Sequence, residues 1–286
     1  MSEVRRGDHV LTARRAFSLN LESSPPLPQV PELRPLYKWG ITPRRGQLIM
    51  IAGRSGSQKS GFALFWTAKM GLPTLYCSGD MSPFEATSRL VSIQTGESSD
   101  AIEEKMLGGD RERYLRSLDD VNVQFSFGQP IRFSGIEAEL DAYVEIHNSY
   151  PEVIVVDNLM DIEGCESEYV AQQAAMQDLA GLSRDTGSTV IVTHHATDKS
   201  REAENHPGLP AARREIKNGL SEKPQLTLSV ALAPGLDRAG RTVYDFRVAC
   251  VKQRSGRSDP TAMDYVSLRA YPELTRFGPQ PWEIGT

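Results

Sequence analysis

The sequence predicts an α/β fold: a mostly parallel central sheet flanked by helices, with an antiparallel C-terminal extension. Three observations carry this expectation. From Gly46 onward short apolar runs alternate with amphipathic stretches at helical spacing, the pattern of a parallel sheet covered on both faces. Early in that alternation, "LIMIAGRSGSQKSGFALF" (48–65) reads as a buried strand, a glycine-rich loop and an apolar helix. Toward the C-terminus, strand-like runs follow one another with little helix between them, which favours antiparallel pairing.

Taken in order, the first elements stand apart from the rest. A basic, helix-compatible piece from Val10 to Phe17 precedes "SSPPLPQVPELRP", whose prolines lack the N–H that helices and sheets require. Residues 1–45 therefore read as an arm, either a flexible tail or a strap on a neighbouring subunit, and 46–286 as one domain. Strands are expected at Leu48–Ala52, Pro73–Ser78, Val121–Phe125, Val153–Asp157 and Thr189–Thr193, then at Leu226–Leu232, Val243–Val251 and Met263–Arg269. Helix starts are marked by capping chemistry. Ser82-Pro83-Phe84-Glu85 combines a capping serine, a proline at the first helical position and a glutamate three residues after the cap. Ser134 and Glu137 repeat the spacing, with Ile136, Leu140 and Val144 on one face. Ala171, Ala175, Leu179 and Leu182 form the next stripe, which Gly187 closes.

Composition narrows the classes. A chain of 286 residues has room for one large α/β domain with an appendage. No apolar run approaches the ~18 residues of a membrane span, and the N-terminus lacks the apolar stretch of a secretory signal, so the expected compartment is the cytoplasm. Cys77, Cys165 and Cys250 are odd in number and far apart, which suits neither a disulfide framework nor a zinc ribbon. A net charge of −5 gives no global attraction to nucleic acid, so any such contact must be local.

The loop Gly53-Arg54-Ser55-Gly56-Ser57-Gln58-Lys59-Ser60 follows the phosphate-loop pattern G-x-x-x-x-G-K-[ST] except at Gln58, where glycine is usual. Such a loop turns successive N–H groups toward anionic oxygens, aided by the following helix dipole. Lys59 would reach the β- and γ-phosphates and Ser60 a Mg²⁺ ion. Downstream, "EVIVVDNLMDI" (152–162) is a buried strand ending in Asp157, suited to hold the Mg²⁺ shell. Asp80 lies just past the end of another strand, where open α/β sheets bind ligands, and a carboxylate there can orient and deprotonate water. In "STVIVTHHATDKS" (188–200), His194 and His195 point to opposite faces of a strand, which argues against a shared metal. In "RVACVKQRSGRSDP" (247–260), Lys252 and Arg254 are two apart and share a face. They suit a phosphate bound by a neighbouring subunit.

In this order the motifs resemble the RecA-like motor of DnaB-type hexameric replicative helicases, and of phage primase–helicases, over roughly residues 35–270. The resemblance implies ATP and Mg²⁺ as cofactors, single-stranded DNA and a hexameric ring as partners, and a primase or helicase loader as further ones. In a phage-encoded protein the compartment is the host cytoplasm. It implies Lys59, Ser60 and Asp157 in the nucleotide site and Asp80 as catalytic carboxylate, where the family usually has glutamate. It implies His195 as the γ-phosphate relay and Lys252 and Arg254 as groups reaching the neighbour's site. The segment "ATDKSREAENHPGLPAARREIKNG" (196–219) matches a DNA-contacting loop and offers Lys199, Arg201, Arg213, Arg214 and Lys217.

Three departures stand out: Gln58 in the loop, Asp80 for glutamate, and the acidic "DIEGCESEY" (161–169) where a second pore loop is expected. The family's large N-terminal scaffold or primase domain has no counterpart in the arm. Two rival readings share the core. One is a RecA-like recombination or strand-annealing ATPase, which forms filaments. The other is a nucleotide-binding scaffold with slow or no turnover.

Overall fold

In chain order, the elements alternate much as expected. The computed structural model describes residues 24–166, 168–197, 208–237 and 239–280, and the Val10–Phe17 piece lies outside them. A short helix, α1 (Arg34–Trp39), precedes β1 (Leu48–Gly53), α2 (Lys59–Met70), β2 (Thr74–Ser78) and α3 (Pro83–Thr95). Then come α4 (Ser99–Leu107), α5 (Arg111–Arg116), β3 (Val123–Ser126), α6 (Phe133–His147), β4 (Val153–Asp157), α7 (Tyr169–Thr186) and β5 (Thr189–His195). The chain finishes with β6 (Leu226–Leu236), β7 (Thr242–Gln253), β8 (Val266–Tyr271) and β9 (Arg276–Gly278).

These strands form one nine-stranded sheet in the order β3-β2-β4-β5-β1-β6-β7-β8-β9 among the described residues. Pairings from β3 through β6 are parallel, and those from β6 to β9 are antiparallel. Both faces are buried, and strict alternation divides the strand residues between them. Ile49, Ile51, Val153, Val155 and Val230 pack with Phe62, Phe65 and Trp66 of α2 and with Leu90 and Ile93 of α3. Leu48, Met50, Ala52, Ile154, Val156, Val190 and Val192 pack on Ile136 and Leu140 of α6 and on Ala175, Met176 and Leu179 of α7. The central strands must therefore be apolar through their middles, as the sequence shows, with buried polar residues such as Thr74, Ser78, Asp157, Thr189 and Thr193 toward their ends.

The proline-rich stretch departs from expectation. From residue 24 onward it belongs to this chain's own core. Leu27, Val30, Leu33 and Leu36 recur every third residue, and all four are buried against the α2 face of the sheet. Pro31 and Pro35 occupy early helical positions, where a missing N–H costs nothing. Prolines here start helices rather than prevent them.

A second correction concerns α6. It begins at Phe133 with Arg132 at its cap and no side-chain capping bond, so Ser134 lies inside the first turn. At α3 the expected cap is present, with Ser82 Oγ accepting the Glu85 N–H at 3.2 Å.

Candidate nucleotide site

β1 delivers the phosphate loop at the C-terminal end of the parallel strands. Gly53 is demanded by close approach: a Cβ there would stand 2.5 Å from Ser57 Oγ and 2.6 Å from the Val230 carbonyl. Gly56 takes φ +71° and Gln58 φ +62°, both left-handed, and this turns the chain into α2. Gln58 thus has the backbone conformation that glycine adopts without strain. Its side chain leans back along α2, so that a Cβ on Gly61 would meet Gln58 Oε1 at 2.8 Å. Lys59 is buried and its Nζ donates to the Arg54 carbonyl at 3.0 Å.

Asp157 ends β4 and is fully buried, and three hydroxyls converge on its carboxylate. Ser60 donates at 2.9 Å, Thr193 at 2.6 Å and Tyr76 at 2.8 Å. Burial pushes the Asp157 carboxyl up, the three hydrogen bonds pull it down, and the nearby Asp80 carboxylate raises it further. Burial and Asp157 together hold the Tyr76 hydroxyl well above its ordinary range, so it remains a donor.

Asp80 is exposed beyond β2 and accepts from Asn158 Nδ2 at 2.9 Å. Asn158 is held in turn by its neighbours: its N–H donates to Asp161 Oδ2 at 3.0 Å, and its Oδ1 accepts the Met160 N–H at 2.8 Å. Gly79 fits against this turn, since a Cβ would stand 2.4 Å from Asp161 Cβ. The acidic "DIEGCESEY" stretch therefore opens with a residue that shapes the Asp80 loop.

The donor set suits Mg²⁺ with a nucleotide. Mg²⁺ keeps several waters and takes one or two protein oxygens, and the Ser60–Asp157 pair offers that. No cage of three or more His, Cys, Asp or Glu side chains exists among the described residues. Ser57 Oγ, beside the loop's N–H groups, is buried without a hydrogen-bond partner, which fits a loop built to receive an anion's oxygens.

The two histidines separate as expected. His195 is half-buried and level with Gly53, while His194 is buried, with Nε2 3.3 Å from the Lys217 carbonyl. Burial pushes His194 down to about 4.

Lys252 and Arg254 lie elsewhere. β7 runs antiparallel to β6, so Lys252 pairs with Thr227, at the level of Met50. That is about 10 Å along the sheet below Gly53 and two strands away, beyond the reach of a lysine side chain. Arg254 is exposed just past the strand. Lys252 Nζ donates to the Glu222 carbonyl, and burial, then Arg213 and Arg254, lower it to about 8. Arg213 therefore belongs with this cation group. Arg214 is exposed and Lys217 half-buried on the same segment, and Lys199 and Arg201 lie outside the described residues.

Sequence reasoning missed Thr193, Tyr76 and Asn158. Thr193 carried a usable signal, because it is two residues from His195 and so shares its face.

Comparison with known proteins agrees with this architecture. The sequence profile of the AAA domain family (AAA_25) matches residues 26–201, beginning within the proline-rich stretch. The Gene 65 protein of Mycobacterium phage L5 is 30% identical over 265 residues, covering 90% of this chain and 94% of the phage protein. The ATPase domain of G40P superposes with a TM-score of 0.71 at 17% identity, covering 93% of this chain and 96% of that one. A DnaB-like replicative helicase, described with its interactions with primase, gives a TM-score of 0.66 at 17% identity. That match covers 82% of this chain but spans only 59% of the helicase. Among the described residues no helix is long and apolar enough to cross a membrane. The chain belongs to the AAA domain family, with a mycobacteriophage protein among its relatives, and has the RecA-like ATPase fold of DnaB-like replicative helicases.

Proposed function

We propose that the chain is an ATP-dependent motor that translocates on single-stranded DNA as a hexameric ring during DNA replication. The observation that carries this reading is the two-ended layout. Phosphate loop, Ser60 and Asp157 lie at the C-terminal end of the parallel strands, whereas Arg254 lies at the opposite end, its N–H on the Gln225 carbonyl, and Lys252 lies two strands from β1, level with Met50. Cations placed so far from their own phosphate loop suit a nucleotide held by the next subunit.

Main-chain N–H groups of residues 53–60 and Lys59 would hold the phosphates, and Ser60 with Asp157 a hydrated Mg²⁺, which supplies charge neutralisation on the phosphoryl oxygens. Asp80 orients the attacking water and takes its proton, held in place by Asn158. His195, level with Gly53, reports the phosphate state to segment 196–219, whose Lys199, Arg201, Arg214 and Lys217 contact the strand. Lys252 and Arg254, with Arg213 beside them, stabilise the charge developing in the adjacent site. A primase or loader is a candidate partner, and the host cytoplasm the expected compartment.

The two departures from the motif, Gln58 and Asp80, favour one rival, a scaffold that binds ATP without turnover. The deciding experiment is steady-state ATP hydrolysis with and without oligo(dT), using Lys59→Ala as control. Stimulated turnover that Lys59→Ala abolishes supports the motor. Detectable ATP binding with no turnover supports the scaffold, and filaments rather than rings in electron micrographs would support a recombinase.

A further inference from the structure

Arg54 lies inside the phosphate loop, yet its guanidinium is committed to other parts of the chain. Nε donates to the Thr197 carbonyl at 3.2 Å, Nη1 to the Leu209 carbonyl at 2.9 Å, and Nη2 to both Glu215 carboxylate oxygens at 3.1 Å. Thr197 and Leu209 flank the first part of the basic segment. The Glu215 carboxylate is nearly inaccessible to solvent and also accepts the Ala212 N–H at 2.8 Å. The Glu215 carbonyl accepts the Thr197 N–H at 2.8 Å, and Ala196 bridges to Ile216. One rigid fork therefore gathers both flanks of the segment and its far end. The same strip, 208–222, then runs down to Glu222, whose carbonyl holds Lys252. It lines a groove of ≈ 590 Å³ together with Arg54, Pro260 and Met263.

We infer that Arg54 and Glu215 form a positioning pair that couples the state of the phosphate loop to strip 208–222, and through it to the strand-contacting segment and to Lys252. The inference rests on the motor reading above. Its physical basis is competition for one ammonium group. Lys59 Nζ holds the Arg54 carbonyl, and phosphate oxygens draw on the same three donors. Drawing Lys59 away leaves that carbonyl to the longer Ser57 N–H contact, at 3.3 Å, and so loosens the Arg54 peptide. Because its guanidinium is tied to Thr197 just past β5 and to Leu209 and Glu215 on strip 208–222, that movement is passed to both. β5 reaches the same strip through His194, whose Nε2 lies 3.3 Å from the Lys217 carbonyl, but from the strand rather than from the loop.

The test uses Glu215→Gln, which keeps the side-chain shape while removing the charge opposite Arg54. Affinity for labelled oligo(dT) is measured by fluorescence anisotropy with Mg²⁺ and either ATPγS or ADP. In the wild type the two nucleotides are expected to change DNA affinity by about fivefold or more, whereas Glu215→Gln brings the ratio to within about twofold of one. Glu215→Asp, which restores a carboxylate, recovers part of the ratio. A full ratio in Glu215→Gln overturns the pair and leaves the motor reading standing. A wild type whose DNA binding ignores nucleotide overturns both. A measurement on the wild type needs no variant to fold: amide hydrogen exchange at Thr197, Ala212 and Glu215 should change on ATPγS binding, and unchanged exchange at all three also overturns the inference.

Discussion

Gln58 shows how a departure from a motif is accommodated by one neighbouring side chain being absent. Its left-handed backbone costs about 1 kcal/mol relative to glycine, and its side chain takes the space beside Gly61 that a Cβ would fill. Gly61→Ala should therefore stabilise α2 by about 1 kcal/mol in a Gln58→Gly background, the usual helix gain, and by less in the wild type, where Gln58 must swing aside. A double-mutant cycle read by denaturant melts measures the difference; additive effects would mean that the two residues do not interact. His194 makes a second residue-level prediction. Its folded pKa of about 4 lies below the unfolded 6.5, so the unfolded chain takes up the proton first as pH falls. Stability should be full above pH 6.5 and decline by about 3 kcal/mol toward pH 4, a decline that His194→Gln removes. Motif reasoning singles out Lys59 and Ser60 by their fixed spacing in the loop, and Asp157 as an acid that ends a buried strand. It cannot find the Arg54–Glu215 pair, since two residues so far apart in sequence meet only through the fold.

Elements were legible where burial dictates composition. β1, β2, β4 and β5 are apolar because both faces of the sheet are covered, and their bounds differ from the sequence reading by at most two residues. β9 escaped because three residues carry no period, and its burial comes from Phe277 packing among Phe62, Phe65 and Phe246. The proline-rich stretch misled for a different reason: composition was read without position, and a proline at a helix start means the opposite of one inside. Truncating Leu33, fully buried on this stretch, should cost about 2–5 kcal/mol, as for any core leucine. Thermal or denaturant melts of Leu33→Ala check it, and a loss under 1 kcal/mol would return the stretch to the status of an arm.

On the scale of the whole molecule, the proposed ring gives each subunit halves of two different sites. Mixing Arg254→Ala subunits into wild type should lower ATP turnover more steeply than in proportion to the variant fraction, because a single spoiled neighbouring site stalls a ring whose sites fire in turn. No decline would place Arg254 outside the reaction, and a strictly proportional one would mean that the sites fire independently. Since Lys252 loses its charge as pH rises through about 8, its share of the trans contact should fade above that pH and persist in Lys252→Arg. The strand order has a further consequence, in the time course of synthesis. β1 sits at the centre of the sheet, and its partners β5 and β6 are encoded far downstream. At ribosomal speeds of about 5–20 residues per second, β1 waits roughly seven to twenty-seven seconds for even the first of them. Throughout that interval its apolar edges are open, so the nascent chain is most prone to aggregate before residue 189 has emerged.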